Sequence, residues 1–390
     1  MHSQNLLTPE LQQELIGFAR SLIRIKSFSG QEEEVIQFTA QKMKALGFDE
    51  VIIDRMGNVV GRIGNGERAI LFDSHMDTVA VNDEGQWAHP PFGADLVDGR
   101  IYGRGSVDMK SGAAASIYAA VMARKLAYDS GKTIYVSCSV LEEECDGENL
   151  KHMFTQLEIQ PHYVVICEPS DNRIVLGHKG KAQIAIRTRG VSAHSSAPEK
   201  GVNPVYGMAE IIQRIERANA EYMREEGFKR TLAISRISST SASINAVPSE
   251  CEVYLDRRMI PGETKDGVRQ EMDRLVEGKN AAWQVGTLVR KSWTGMKVHY
   301  EPFHPAWQID LRHPLAQACI AAYKESFGCQ PAGYDFWDFS TNAVTPVSMG
   351  IPTIGFGPGD KKLAHMRDES CPVQQIMDAF VFYARLIQQI

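Results

Sequence analysis

Five places in this 390-residue chain carry residue types that suit metal or acid–base chemistry. His75 and Asp77 stand two apart in "LFDSHMDTV". Asp108 lies in the glycine-punctuated "YGRGSVDMKSG". Glu142, Glu143 and Glu144 run together after "TIYVSCSVL". Glu168 follows "YVVIC", and His365 comes a few residues after "PTIGFG". Two imidazoles with several carboxylates suit borderline divalent cations such as zinc, manganese or cobalt. An Asp flanked by glycines can bridge two ions, because the backbone lets it approach closely. Two ions roughly 3.5–4 Å apart can activate a water and polarise a carbonyl.

Each residue also has an ordinary explanation. A lone His-x-Asp is usually a loop imidazole bonded to a nearby carboxylate. Three glutamates in a row are usually a solvated run, although here they end an apolar strand. Asp108 could stabilise a helix N-terminus, Glu168 before Pro169 could belong to a turn, and His365 could be a surface residue. Their joint placement is what argues against those explanations. Four of the five follow an apparent strand, and sites in open α/β sheets form at the carboxyl ends of strands.

The elements that must position them can be read from pattern. "TPELQQELIGFARSLIRI" predicts a helix with Thr8 as N-cap and Pro9 at its first position. "SGQEEEVIQFTAQKMKALG" predicts a second, opened by a capping box from Ser29 to Glu32 and stopped at Gly47. Short apolar runs, "EVIIDRM", "AILFDS", "TIYVSCSVL", "YVVICEP" and "PTIGFG", alternate with helical patterns such as "KSGAAASIYAAVMARKLAY". That alternation implies an α/β sheet, at least partly parallel. From about residue 182 the order becomes strand, helix, two strands, helix, strand, with "AAWQVGTLVRK" as the last strand. That βαββαβ order is ferredoxin-like. The expected organisation is therefore a mixed-sheet α/β/α catalytic domain over 1–181 and 296–390, with an inserted ferredoxin-like lid or dimerisation domain over 182–295.

Composition narrows the class. The chain is 43% hydrophobic and 23% charged, which fits a globular protein and a length that suggests two domains. A net charge of -6 argues against a nucleic-acid or anionic-membrane partner. Seven cysteines without a C-x-x-C pair fit a reducing compartment better than a disulfide framework. The N-terminal stretch lacks a basic segment followed by an apolar one, and no apolar run has membrane-spanning length. The expectation is a soluble, cytoplasmic protein.

The residues quoted above sit in a longer signature. It includes "SHMDTV", "PPFGADLVDGRIYGRGSVDMKSG", the "EE" after a strand, "CEPS", "GVSAHSSAPEKGVNP", "NAVPSE", "DRRMIPGE" and "GPGDKKLAHMRDE". In that order, over nearly the whole chain, it resembles the dizinc amidohydrolase and metallopeptidase family of acetylornithine deacetylase, succinyl-diaminopimelate desuccinylase and glutamate carboxypeptidase. Within the family it looks closest to the selenium-metabolism-linked hydrolases, a label that names no substrate.

The resemblance implies roles. His75, Asp108 and Glu168 would hold one metal ion, and Asp108, Glu143 and His365 the other, with Asp108 between them. The ions would be zinc first, with manganese or cobalt as alternatives. Glu142 would be the general base and Asp77 would orient the imidazole of His75. His194, in "SAHSS", would stabilise the oxyanion from the partner subunit of a homodimer. Asn245 would add a polar contact, and Arg258 would hold the carboxylate of a small-molecule substrate. The implied activity is hydrolysis of an N-acyl or N-carbamoyl amino acid. A dipeptidase or carboxypeptidase on the same site is the alternative, and a catalytically silent binding protein is the alternative from another class.

The chain departs from the pattern in places. Leu141 stands where the family usually has an acid, and the extra Glu144 opens a register choice between Glu142/Glu143 and Glu143/Glu144. Ser74 replaces the usual Gly. "GYDFWDFSTNAV" lacks the usual paired glycines, and its Phe336, Trp337 and Phe339 could line a pocket or pack in the core. His89, Cys145 and Cys167 are read as non-ligands, and "GHKG" at 177–180 as a hinge.

Overall fold

The apolar runs become neighbouring strands of one sheet. In the computed structural model, residues 6–241 and 243–390 are described; the first five residues, part of the stretch read for a leader, lie outside them. The main sheet has nine strands. Its order is Glu50–Ile53, Val59–Gly64, Lys132–Ser139, Arg68–His75, Tyr163–Ile166, Thr353–Gly355, Val175–His178 and Trp307–Gln308, with Asp335–Trp337 also on Val175–His178. The centre is parallel: Arg68–His75 pairs in parallel with both Lys132–Ser139 and Tyr163–Ile166, and Tyr163–Ile166 with Thr353–Gly355. Val59–Gly64 pairs antiparallel with both of its neighbours, as does Thr353–Gly355 with Val175–His178, so the sheet is mixed. Strands buried on both faces read as unbroken apolar runs, and Ile70, Leu71, Phe72, Val164 and Val165 are fully buried.

Helix Lys110–Lys125 packs against both Pro9–Arg24 and Val373–Gln389, and the latter lies against Pro314–Phe327. Alanines at 113, 114, 115, 119 and 120 in Lys110–Lys125 are buried, so small side chains bring that helix close to its neighbours. Thr8 caps the first helix as expected. The capping box on the second does not form. That helix spans Glu33–Ala45 with no side-chain cap. Ser29 donates instead to Asp77 Oδ2 at 2.7 Å, and Glu32 Oε1 accepts from the Gly30 and Leu141 amides. Tertiary partners have taken both halves of the local motif.

A second hydrophobic core forms under an antiparallel sheet ordered Thr231–Thr240, Glu250–Met259, Gly180–Arg189, Ala281–Val285, with Phe303–His304 also on Gly180–Arg189. Helices Pro204–Tyr222 and Lys265–Val276 supply Met208, Ile211, Ile215, Val268 and Met272 to it. The single strand expected over 281–291 is two, Ala281–Val285 and Leu288–Lys291. Gly286 breaks the run, and the second piece pairs with Lys297–Tyr300 as a hairpin whose Leu288, Val298 and Tyr300 pack into the first core.

Candidate metal centre

The three central parallel strands end almost flush. His75 is the last residue of its strand and stands opposite Ser139, the last of the next. Asp73 stands opposite Ile166, two residues before Glu168. Leu141, in the left-handed conformation at φ 59, turns the chain out of Lys132–Ser139 into the short helix Glu142–Cys145. Glu142 and Glu143 thereby enter the same space as His75, at the carboxyl edge where such sheets place their sites.

Asp108 lies between the two imidazoles. Its Oδ1 is 2.8 Å from His75 Nε2 and its Oδ2 is 3.2 Å from His365 Nε2. Glu143 is 3.0 Å from His365 Nε2, and Glu168 Oε1 is 3.6 Å from His75 Nε2. A buried pair, Arg104 and Glu369, ties these loops together. Glu369 accepts from the amides of Val107 and Asp108 at 2.8 and 3.1 Å, and Arg104 donates to Glu369 at 2.5 Å and to the His365 carbonyl at 3.2 Å. Sequence reading passed over this pair. Its only signal was its place beside the motifs, in "YGRGS" and "MRDE".

The candidate residues divide as follows. His75, Asp108, Glu142, Glu143, Glu168 and His365 come together. Ligand atoms of His75, Asp108 and Glu143 lie within 4.8 Å of one another, as do those of His75, Glu142 and Glu168. Glu144 turns away to Arg290 at 2.5 Å, which leaves Glu142 and Glu143 as the pair inside. Asp77 lies beside His75. His75 Nδ1 meets the Asp77 backbone carbonyl at 2.8 Å, whereas the Asp77 carboxylate is 3.6 Å away. Its two oxygens accept from the amides of Glu142 and Glu143 at 3.1 Å each. That carboxylate therefore fixes the turn carrying the glutamates, and its backbone aims the histidine.

Arg258 lines the same cavity of about 290 Å³ as Asp108, Glu142, Glu168 and His365. His194 and Asn245 do not. Both are exposed on the second sheet's loops, where His194 Nδ1 meets Ser196 Oγ at 2.7 Å and the Asn245 carbonyl accepts from the Ser195 amide. Of the three aromatics in "DFWDF", Phe339 lines the cavity, Trp337 is fully buried, and Phe336 packs at a tilt on Phe228 with ring centroids 4.2 Å apart. His89 contacts Asp95 at 3.2 Å. Burial pushes the Cys145 and Cys167 thiols up to about 12, which leaves them as protonated packing groups.

The electrostatics ask for positive charge. Burial pushes Glu142 and Glu168 well above the usual carboxylate range and raises Glu143 as well. Burial would lower His75, but the bond to Asp108 and the charges of Asp108, Glu168 and Glu142 raise it well above its usual value. His365 is raised to about 10 by Asp108 and Glu143. Glu142 Oε1 is buried without a partner among the described residues. Carboxylates so crowded, beside two imidazoles and with an orphaned oxygen, are the donor set that divalent cations neutralise. The residues present fit such ions.

Comparison with known proteins agrees. Residues 71–389 match Peptidase family M20/M25/M40. The chain is 35% identical over 381 residues to the protein YgeY of Escherichia coli K12, covering 97% of this chain and 94% of that one. It is 32% identical over 349 residues to the acetylornithine deacetylase of Vibrio parahaemolyticus, covering 86% of each. Its fold superposes on Bacillus subtilis YxeP, a dinuclear metal-binding peptidase, with a TM-score of 0.72 and 15% identity over 98% of each chain. No helix among the described residues is long and apolar enough to cross a membrane. This chain belongs to Peptidase family M20/M25/M40 and is a metal-dependent hydrolase acting on C–N bonds.

Proposed function

We propose that the chain hydrolyses the amide-type bond of an N-acyl or N-carbamoyl amino acid. The observation that carries this reading is the convergence of His75, Glu142, Glu143 and Glu168 at flush strand ends, with Asp108 between His75 and His365. His75, Asp108 and Glu168 would hold one ion, and Asp108, Glu143 and His365 the second. Two divalent ions there, zinc first, would polarise the scissile carbonyl and lower the pKa of the attacking water.

The protein's own residues do the rest. Glu142 takes the proton as water oxygen bonds to carbonyl carbon. It then returns that proton to the amine nitrogen as the C–N bond breaks. Its orphaned Oε1 and its burial suit a group that must accept a proton near neutral pH. Asp77 holds the amides of Glu142 and Glu143. Arg258, on the cavity wall, would hold the substrate carboxylate. His194 and Asn245, exposed and outside the cavity, would act on the site of a second copy of this chain. The deacetylase relative favours deacylation; peptidase action on a dipeptide would use the same groups.

Glu142→Gln tests the assignment. The variant is expected to keep the wild-type metal content by elemental analysis while turnover falls on the order of 10²–10⁴-fold. The substrate class is set by a panel of N-acetyl, N-succinyl and N-carbamoyl amino acids and dipeptides, assayed with and without chelator. Near-wild-type turnover by Glu142→Gln, or hydrolysis indifferent to chelator with no metal bound, would overturn it.

A further inference from the structure

The cavity that holds the acidic cluster has a basic side, supplied by the second sheet. Lys181, near the start of strand Gly180–Arg189, stands directly opposite Arg258 on strand Glu250–Met259, and both line the cavity. Directly opposed residues of an antiparallel pair point to the same face with Cβ atoms about 4.5–5.5 Å apart, and like charges placed so are destabilising. His304 stands opposite Lys181 on the other side. Burial lowers its imidazole to about 4, so the row carries two positive charges at neutral pH.

Each cation has an anchor that leaves donors over. Lys181 Nζ donates to Asp146 Oδ1 at 2.7 Å. Arg258 Nε and Nη2 donate to the two oxygens of Asp256 at 2.7 and 3.1 Å. An ammonium has three N–H groups and a guanidinium five. Lys181 therefore keeps two hydrogens, and Arg258 keeps those on Nη1, without a protein partner among the described residues. Lys181 is also held in place: its Nζ lies 5.3 Å from the Tyr300 ring centroid, and the Tyr300 hydroxyl donates to the same Asp146. Tyr300 and Asp146 are buried, and the Lys181 side chain is 14% exposed. A pre-positioned ammonium loses little rotamer freedom on binding.

We propose that Lys181 and Arg258 form one carboxylate subsite of this cavity, with Lys181 the specificity residue. The substrate class is then an amide that carries a carboxylate away from its reacting carbonyl. The two carboxylate oxygens would bridge the ammonium and the guanidinium in charge-assisted bonds and relieve the repulsion between them. This rests on the hydrolase reading above and adds Lys181, which no motif in the chain singles out.

The test uses non-hydrolysable probes on the metal-loaded protein. Succinate, glutarate and adipate are titrated by calorimetry, each against the monocarboxylate of equal length: butyrate, pentanoate and hexanoate. The best-fitting dicarboxylate is expected to bind about tenfold or more tighter than its partner. Lys181→Met is expected to erase most of that preference, and Lys181→Arg to restore it. Should Lys181→Met fail to fold because Asp146 loses its cation, Lys181→Met/Asp146→Asn is read the same way. No preference in the wild type, or an unchanged preference without Lys181, overturns the subsite. Loss of metal binding or of chelator-sensitive hydrolysis would instead count against the hydrolase reading, because dicarboxylate binding needs no turnover.

Discussion

At the residue scale, the site is governed by which buried carboxylates have partners. Asp77 is fully buried, and its oxygens accept from the amides of Glu142 and Glu143 and from the Ser29 hydroxyl. Asp77→Ala would leave those amides without acceptors and free the turn that aims the glutamates. Its kcat is expected to fall roughly 10–100-fold, the range for groups that orient metal ligands, with reduced metal content read by elemental analysis. Glu32 makes a separate prediction. It is fully buried, its Oε2 has no partner among the described residues, and burial together with the Asp77 charge raises it to about 8 from the usual 4.5. Between those two values the unfolded chain has released the proton and the folded chain retains it. The contribution of Glu32 to stability then falls as pH rises through that window, by at most about 1.4 kcal/mol per pH unit. Glu32→Gln keeps an acceptor for the Gly30 and Leu141 amides and carries no titrating proton. Urea unfolding should give similar stability for both proteins near pH 5 and a growing advantage for the variant toward pH 8. Parallel curves would show that Glu32 does not carry this burden.

At the scale of elements, close approach between helix Lys110–Lys125 and the strand ends sets the spacing of Asp108 and Glu168. A Cβ on Gly112 would lie 2.5 Å from the Cys167 carbonyl oxygen, next to Glu168. Gly112→Ala is expected to destabilise by about 1–3 kcal/mol and to weaken metal binding, as the helix moves away from that loop. Gly17, on an exposed helix face, would meet nothing within 4 Å. Gly17→Ala should therefore stabilise by roughly 0.5–1 kcal/mol, and thermal melts of the two variants should move in opposite directions. The same elements explain what was legible beforehand. The long central strands and their terminal His75, Glu142 and Glu168 were visible because doubly buried strands read as apolar runs and sites follow them. Val175–His178, Asp335–Trp337 and Trp307–Gln308 were not visible, since two to four residues carry no periodicity and their pairing is non-local. Lys181 stayed hidden for a related reason: only strand register puts it opposite Arg258. The Ser29–Glu32 box misled because Asp77 and Leu141, distant in sequence, compete for its members.

At the scale of the whole molecule, one chain leaves part of the expected machinery outside its own cavity. His194 and Asn245 are exposed, and apolar side chains are exposed on the same unit: Ile244 at 99%, Tyr206 at 73%, Val202 at 58% and Val191 at 55%. On the dimer reading proposed above, a second copy of this chain would cover these side chains while carrying His194 to the neighbour's site. Light scattering should then report a dimer. A sharper test mixes two crippled variants. His194→Ala keeps its own Glu142 but can lend no imidazole, whereas Glu142→Gln keeps an imidazole to lend but lacks its own base. Each homodimer should be nearly inactive. In a heterodimer the His194→Ala subunit receives His194 from its partner, so one of two sites is complete. Random exchange of equal amounts makes half the dimers mixed, and activity should rise to about one quarter of wild type. If each chain used its own His194 after closing on substrate, neither variant would hold a complete site. Mixing would then restore nothing, whatever the oligomeric state.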